Sequence, residues 1–361
     1  MILKRLVMQD FNSIQRKHLS RWCFLYSMKS LALIFMSFIY FQSYAQIKHF
    51  VFIGMDRDLM KDTGNWTSAV FDGVQVAYSW RQLETQKDKY DFSLINEDIE
   101  LLKKYNKKLF IQLQDVSFSL KWNHAPKYLL ADSIYHGGAN KQYNFKDDDE
   151  SEYSEAGWAT RRWDPEVQKR LYKLYNALGR QFDGVIEGIN LAETSVDFGK
   201  GPLHPPGFTF QRYTDATIEN LTALKKAFPK SVVMVYANFM PGGYLPYNDS
   251  VYLKSVYDFV WQNNIATGGP DLFPWKRGQM NNSYGFIRDS YKKVPSALAV
   301  QDGNYEYINP RTKEKIKTEE IYLFAKDYLK LTYIFWGTEE PFFHTQTIPF
   351  LRSLTTTEKT Q

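Results

Sequence analysis

The chain has 361 residues, a formal charge of +5, 17% aromatic residues and a single cysteine. Six of its 45 basic residues and one of its 40 acidic ones fall in residues 1–45, so the remainder carries 39 of each and no net charge. That balance excludes a phosphate-tracking surface, and with it nucleic acid as a partner. Cys23 sits in the same leading segment, so the rest of the chain has no thiol nucleophile, no zinc–cysteine site and no disulfide.

Residues 1–45 read as a leader. Met28-Lys29-Ser30 supplies charge, Leu31 to Phe41 an apolar core, and Ser43-Tyr44-Ala45 a small-x-small cleavage site before Gln46. Met28 is an alternative start. The apolar core falls short of the roughly 20 residues that span a bilayer. The expectation is therefore an exported protein, periplasmic or secreted, beginning at Gln46 and holding no stable membrane insertion after cleavage. Residues 46–361 form one domain, long enough to bury a single large core.

From Gln46 onward, strand and helix patterns alternate. His49–Gly54 reads as a first strand and is followed by a weak helix. Gly73–Trp80 is the second, and Leu94–Tyr105 a helix with Ile95, Ile99 and Leu102 on one face. Leu109–Gln114 is the third strand. Residues 116–160, with Trp122, His124, Gly137-Gly138 and the acidic run Asp147–Glu150, read as a long loop insertion over the strand ends. Asp164-Pro165 caps a helix whose buried stripe is Val167, Leu171, Leu174, Leu178 and Phe182. A fourth strand is expected to open at Gly184 and to end at Glu193, with Val185, Ile186 and Ile189 buried. Then come a helix near Tyr213–Phe228, the strand Val232–Ala237, a helix capped by Asp249-Ser250, and a short sixth strand and loop over Ala266–Asp271. A helix near Asn282–Lys293 leads to the strand Ser296–Asp302. Thr318–Leu329 is helical, Tyr333–Trp336 is the eighth strand, and the final helix is short or missing after His344. Eight strands alternating with helices predict a parallel (β/α)₈ TIM barrel. No glycine-rich phosphate loop follows the first strand, which counts against a dinucleotide fold.

In such a barrel the carboxyl ends of the strands form the functional face. Glu193 stands at the end of the fourth strand and is the candidate general acid, against the plainer reading of a solvated loop glutamate. Glu187, within that strand, is expected to pair with Arg57 or Arg81, and Glu84 to brace the loop after the second strand. Glu339 and Glu340 read as a surface pair. His124, His136 and His204 lack metal-ligand spacing. No metal and no organic cofactor is expected. Asn65-Trp66-Thr67 matches the N-glycosylation triplet, a pattern that is common by chance.

Several runs appear in an order that resembles clan A glycoside hydrolases, in particular the β-galactosidase-like families. They are Trp80-Arg81-Gln82-Leu83-Glu84 with Lys89-Tyr90-Asp91-Phe92-Ser93, then Trp122 with Ala125-Pro126-Lys127-Tyr128-Leu129, then Asn190-Leu191-Ala192-Glu193, and Trp336. The resemblance covers most of residues 49–345. It implies an enzyme that cleaves a β-linked glycan by two-carboxylate acid/base chemistry, with an oligo- or polysaccharide as its substrate. Glu193 would be the acid. Trp80, Trp122, Trp275 and Trp336 could each stack on a sugar ring, against the plainer reading of core packing for any one of them, and His124, Asn190 and Tyr236 would also contact substrate. Two departures stand out. Leu191 and Ala192 separate Asn190 from Glu193, and the seventh strand ends in Gln301-Asp302-Gly303-Asn304 where the clan places a nucleophilic glutamate. Asp302 is the expected partner carboxylate, with Glu306 on the following loop as the alternative. If neither acts, the chain is a non-catalytic glycan-binding barrel. A third reading is a carbohydrate lyase or deacetylase, although no His and Asp cluster suits a deacetylase metal.

Overall fold

The computed structural model describes residues 46–146, 149–199, 203–243 and 251–357. The leader, the Asp249-Ser250 cap and residues 147 and 148 of the acidic run lie outside the described residues. Eight parallel strands close into a barrel: β1 (Lys48–Gly54), β2 (Gly73–Ser79), β3 (Lys108–Gln114), β4 (Gly188–Leu191), β5 (Val232–Tyr236), β6 (Ala266–Gly269), β7 (Ser296–Val300) and β8 (Tyr333–Gly337). Each strand pairs with its neighbours in sequence, and β1 closes the ring by pairing with both β2 and β8.

The period-two alternation of the strands sorts their side chains. Phe50, Phe110, Met234, Tyr236, Tyr333 and Phe335 fill the lumen with Ala266, Ala297 and Ala299. Phe110 meets Phe335 edge-on at 5.1 Å between centroids, and Phe50 at 6.1 Å. Rings this large need small partners across the lumen. A Cβ on Gly188 would lie 2.6 Å from the Phe110 ring, and one on Gly73 2.5 Å from Phe50. The outward residues of the same strands, such as Val74, Val76, Ile111 and Ile189, pack under the helices.

The helix Pro165–Phe182 starts as its sequence predicts. The Asp164 side chain accepts from the backbone N–H groups of Glu166 and Val167, and the expected apolar stripe is buried. Leading into β4 the reading is corrected. Residues 184–187 are a turn, Gly184 has φ +80°, and Val185 is 44% exposed. The glycine that was taken to open the strand instead supplies the left-handed turn that ends the helix. The segment 116–160 is also more than a loop. Val116–Ser117, Ala139–Lys146 and Asp149–Thr160 form an antiparallel sheet, with a short helix at Lys127–Ala131. A helix does follow β8 and His344, Ile348–Thr357, and it packs Ile348 and Leu351 into the core. No helix among the described residues is long and apolar enough to cross a membrane.

Candidate active site

Glu193 lies two residues beyond β4, and its direction is set by a break in alternation. Asn190 faces the lumen, where Gln75 Nε2 donates to its Oδ1 and to the Tyr236 hydroxyl, each at 2.9 Å. Strict alternation would send Ala192 inward and Glu193 toward the helices. Instead Leu191 and Ala192 both border a cavity of about 20 Å³ that they share with Leu171 and Tyr175 of the 165–182 helix. Glu193 therefore returns to the barrel mouth, where Asn238, just past β5, donates from Nδ2 to its Oε2 at 2.5 Å.

The backbone here is tied down from outside the barrel. Asp115, following β3, takes a two-pronged bond from Arg162, Nε to Oδ2 at 2.8 Å and Nη2 to Oδ1 at 2.5 Å. Arg162 Nη1 then donates to the Glu193 carbonyl at 3.0 Å. The Tyr213 hydroxyl donates to the Thr194 carbonyl, and Thr194 Oγ1 to the Phe239 carbonyl. Both members of the Asp115–Arg162 pair are buried, so the pair holds position as well as charge.

Although part of Glu193 reaches solvent, protein surrounds it on nearly every side. That burial pushes its carboxyl from 4.5 up to about 7, against the opposing bond from Asn238 and with a further upward push from Asp271. A carboxyl poised near neutrality is the form a general acid needs. Asp271, two residues past β6, is the carboxylate whose charge Glu193 feels. Burial raises its own carboxyl, while the Asn304 side chain and Lys276 favour the ionised form. Asn304 is itself fixed, its Oδ1 accepting from the backbone N–H groups of Gln301 at 3.0 Å and Leu272 at 3.3 Å.

The other expected residues are spread more widely. Asp302 and Glu306 are exposed. Asp302 borders a cleft of about 600 Å³ between β1, β7 and β8, together with Asp56, Gln301 and Glu339, and Glu306 turns to Lys315 at 3.6 Å. Trp80 and Trp336 are fully buried, so no sugar ring can reach them. Trp80 Nε1 donates to Glu84 and Trp336 Nε1 to His49. Trp336 follows the lumen residue Phe335 and so points outward, as the strand period requires. Asn190 and Tyr236 form a buried polar layer with Gln75 beneath the mouth rather than an exposed contact surface. His124 is buried and its carbonyl accepts from the Arg81 N–H. Trp275 is half-buried under the Arg311 guanidinium, and Trp122 stands 55% exposed on the segment after β3.

Glu187 pairs at the opposite end of the barrel with Lys48 and the Tyr333 hydroxyl, not with Arg57 or Arg81, because β4 begins only after it. Glu84 does brace its loop, binding Arg170, Trp80 and Tyr128 in the interior. Glu339 Oε2 accepts from the Gly303 N–H, and Glu340 pairs with His344. No cluster of His, Cys, Asp and Glu among the described residues could hold a metal ion.

Sequence reasoning missed Asp115, Arg162, Asn238, Asp271 and Asn304. Asp115 and Asp271 were open to the rule that singled out Glu193, since each carboxylate follows a barrel strand. Arg162 gives no local signal, because its role depends on a residue 47 positions away.

No family model matches the chain, and no curated protein matches its sequence. Among solved structures it is similar to a β-galactosidase from Bacillus circulans sp. alkalophilus, with TM-score 0.52 and 11% identity over 82% of this chain and 50% of that one. Looser matches are a β-galactosidase from the haloarchaeon Halorubrum lacusprofundi (TM-score 0.48, 12% identity, 80% and 52% covered) and xylanase 10B from Thermotoga petrophila (0.47, 11%, 81% and 83%). The chain thus spans about half the length of the two β-galactosidases. At such identities the likeness concerns architecture. The closed eight-stranded parallel barrel is a (β/α)₈ fold.

Proposed function

We propose that this chain is a glycoside hydrolase in which Glu193 is the general acid and Asp271 the partner carboxylate. The observation that carries the reading is Glu193 itself, a carboxyl at the mouth of the barrel held near 7 by burial. Glycoside cleavage asks for a protonated carboxyl on the leaving oxygen and an ionised one across the sugar. Asp271 has an amide donor and a neighbouring cation that favour the anion against the upward push of its burial, and its charge adds to the burial that raises Glu193. Asp302 borders the neighbouring cleft, whose volume is that of a small-molecule site. It would line the path of a glycan without entering the reaction. Export of the chain before it meets an extracellular or periplasmic glycan belongs to the same reading.

The test is turnover of the mature chain on β-linked aryl glycosides and polysaccharides. Glu193→Gln and Asp271→Asn should each lower kcat by roughly 10²–10⁴, while Asp302→Asn and Glu306→Gln stay near the parent. Undiminished turnover in Glu193→Gln would overturn the acid. Loss in Asp302→Asn but not in Asp271→Asn would move the partner to β7. A second reading, a barrel that binds glycan without cleaving it, draws on β7, which is followed by Gln301 and an exposed Asp302. Saturable binding of a polysaccharide without turnover would establish it.

A further inference from the structure

Each of the two carboxyls is served by one asparagine, and the two amides are held differently. Asn304 has its oxygen locked by the Gln301 and Leu272 backbone N–H groups, so its NH₂ group faces Asp271 permanently. Asn238 is also buried and gives its NH₂ group to Glu193, but its Oδ1 has no hydrogen-bond partner among the described residues. An amide can donate from one end and accept at the other, and a half turn about its last side-chain bond exchanges them. A buried acceptor without a donor is costly, and Glu193 is the neighbouring group that can supply one, by taking up a proton.

We propose that Asn238 turns its amide as Glu193 gains and loses its proton, whereas the amide of Asn304, fixed by its oxygen, stays turned toward Asp271. With Glu193 protonated, its O–H donates to Asn238 Oδ1 and the orphan oxygen is satisfied. When the proton passes to the leaving oxygen, the Glu193 O–H bond breaks and an O–H bond forms on the departing group. The new carboxylate then accepts from Asn238 Nδ2, the arrangement seen here. The glycosidic C–O bond breaks as an Asp271 oxygen bonds the anomeric carbon, and the water that then displaces Asp271 gives its proton to Glu193, so Asp271 never takes one up. Asn238 is thus a positioning residue matched to a group that cycles, and Asn304 to one that does not. The other groups acting on Glu193 are the Asp271 carboxylate and the Arg162 guanidinium, with the Tyr236 and Tyr213 hydroxyls beside it. Neither hydroxyl bonds Glu193 among the described residues: that of Tyr213 donates to the Thr194 carbonyl and accepts from Arg162, and that of Tyr236 accepts from Gln75.

This inference rests on Glu193 being the acid, and the experiment separates the two claims. Neutron diffraction on deuterium-exchanged crystals of the full chain, well below and well above pD 7, locates the amide deuterons directly. Those of Asn238 should face Glu193 at high pD and turn away at low pD, while those of Asn304 stay put. An infrared titration of the carboxyl band in the same protein, assigned by its loss in Glu193→Gln, gives the midpoint. Asn238→Leu removes a donor to the charged form, which is the stronger of the two bonds, so the midpoint should rise by about one pH unit, or tenfold in proton affinity. Asn238→Ser, which can still donate and accept, should restore most of the shift. An Asn238 amide with one orientation at both pD values, or a midpoint unmoved in Asn238→Leu, overturns the inference while leaving Glu193 as the acid. Absence of any Glu193 band titrating near neutrality overturns both.

Discussion

Replacing Glu193 by glutamine should stabilise the fold at neutral and alkaline pH while it removes the acid. In the folded chain the carboxyl is raised from 4.5 to about 7, so the protein favours the protonated form. Its contribution to stability is therefore fully present below 4.5 and is lost as pH rises through 7. At about 1.36 kcal/mol per pH unit, the rise of roughly 2.5 units corresponds to ~3 kcal/mol lost by the parent by about pH 8. Glutamine keeps the shape and accepts the Asn238 bond but never ionises, so Glu193→Gln escapes this loss. Urea unfolding of both proteins, followed by tryptophan fluorescence at a series of pH values, reads the difference. Other titrating groups, including the buried His49 with its pKa lowered to about 4, act equally in both chains and cancel. The stability gap should widen in favour of the variant by ~2.5 kcal/mol between about pH 5 and about pH 8.5. A gap that changes by less than about 1 kcal/mol over that range would refute the claim that Glu193 is held protonated by its surroundings.

Asp115→Asn leaves the buried Arg162 charge without its partner and should cost about 3–5 kcal/mol in denaturant unfolding. Less than about 1 kcal/mol would show that the pair does not anchor the Glu193 backbone. Gly188→Ala puts a methyl group against the Phe110 ring and the Val232 carbonyl, at 2.6 and 2.7 Å. A loss of about 1–3 kcal/mol is expected from overpacking, and an unchanged unfolding midpoint would contradict the tight lumen. N-terminal sequencing of exported protein should begin at Gln46, and residues 1–40 still attached would overturn the leader.

The barrel was legible in the sequence because both its periods are local. Alternating residues in Gly73–Ser79 and the stripe of Val167, Leu171, Leu174, Leu178 and Phe182 are fixed by backbone geometry, whatever lies across the core. Glu193 was legible for a similar reason, as a carboxylate placed where a strand runs out. The start of β4 was not, because glycine at 184 suits a strand boundary and a helix-ending turn alike, and tertiary packing chose the turn. Trp336 could have been placed by counting from Phe335, since two neighbours on a strand cannot both face the lumen. The carboxylate we propose as partner of Glu193 was beyond local reading. Whether Asp271, Asp302 or Glu306 meets it depends on which side of the mouth each loop faces once the ring has closed. The environment of Glu193 is likewise a product of the tertiary structure. Its burial, its bond to Asn238 and the Asp115–Arg162 anchor join residues from five separate stretches of chain. Sequence alone determined that a carboxyl stands at the strand end, and only the closed barrel decided that its pKa is raised, because desolvation is a property of everything packed around it.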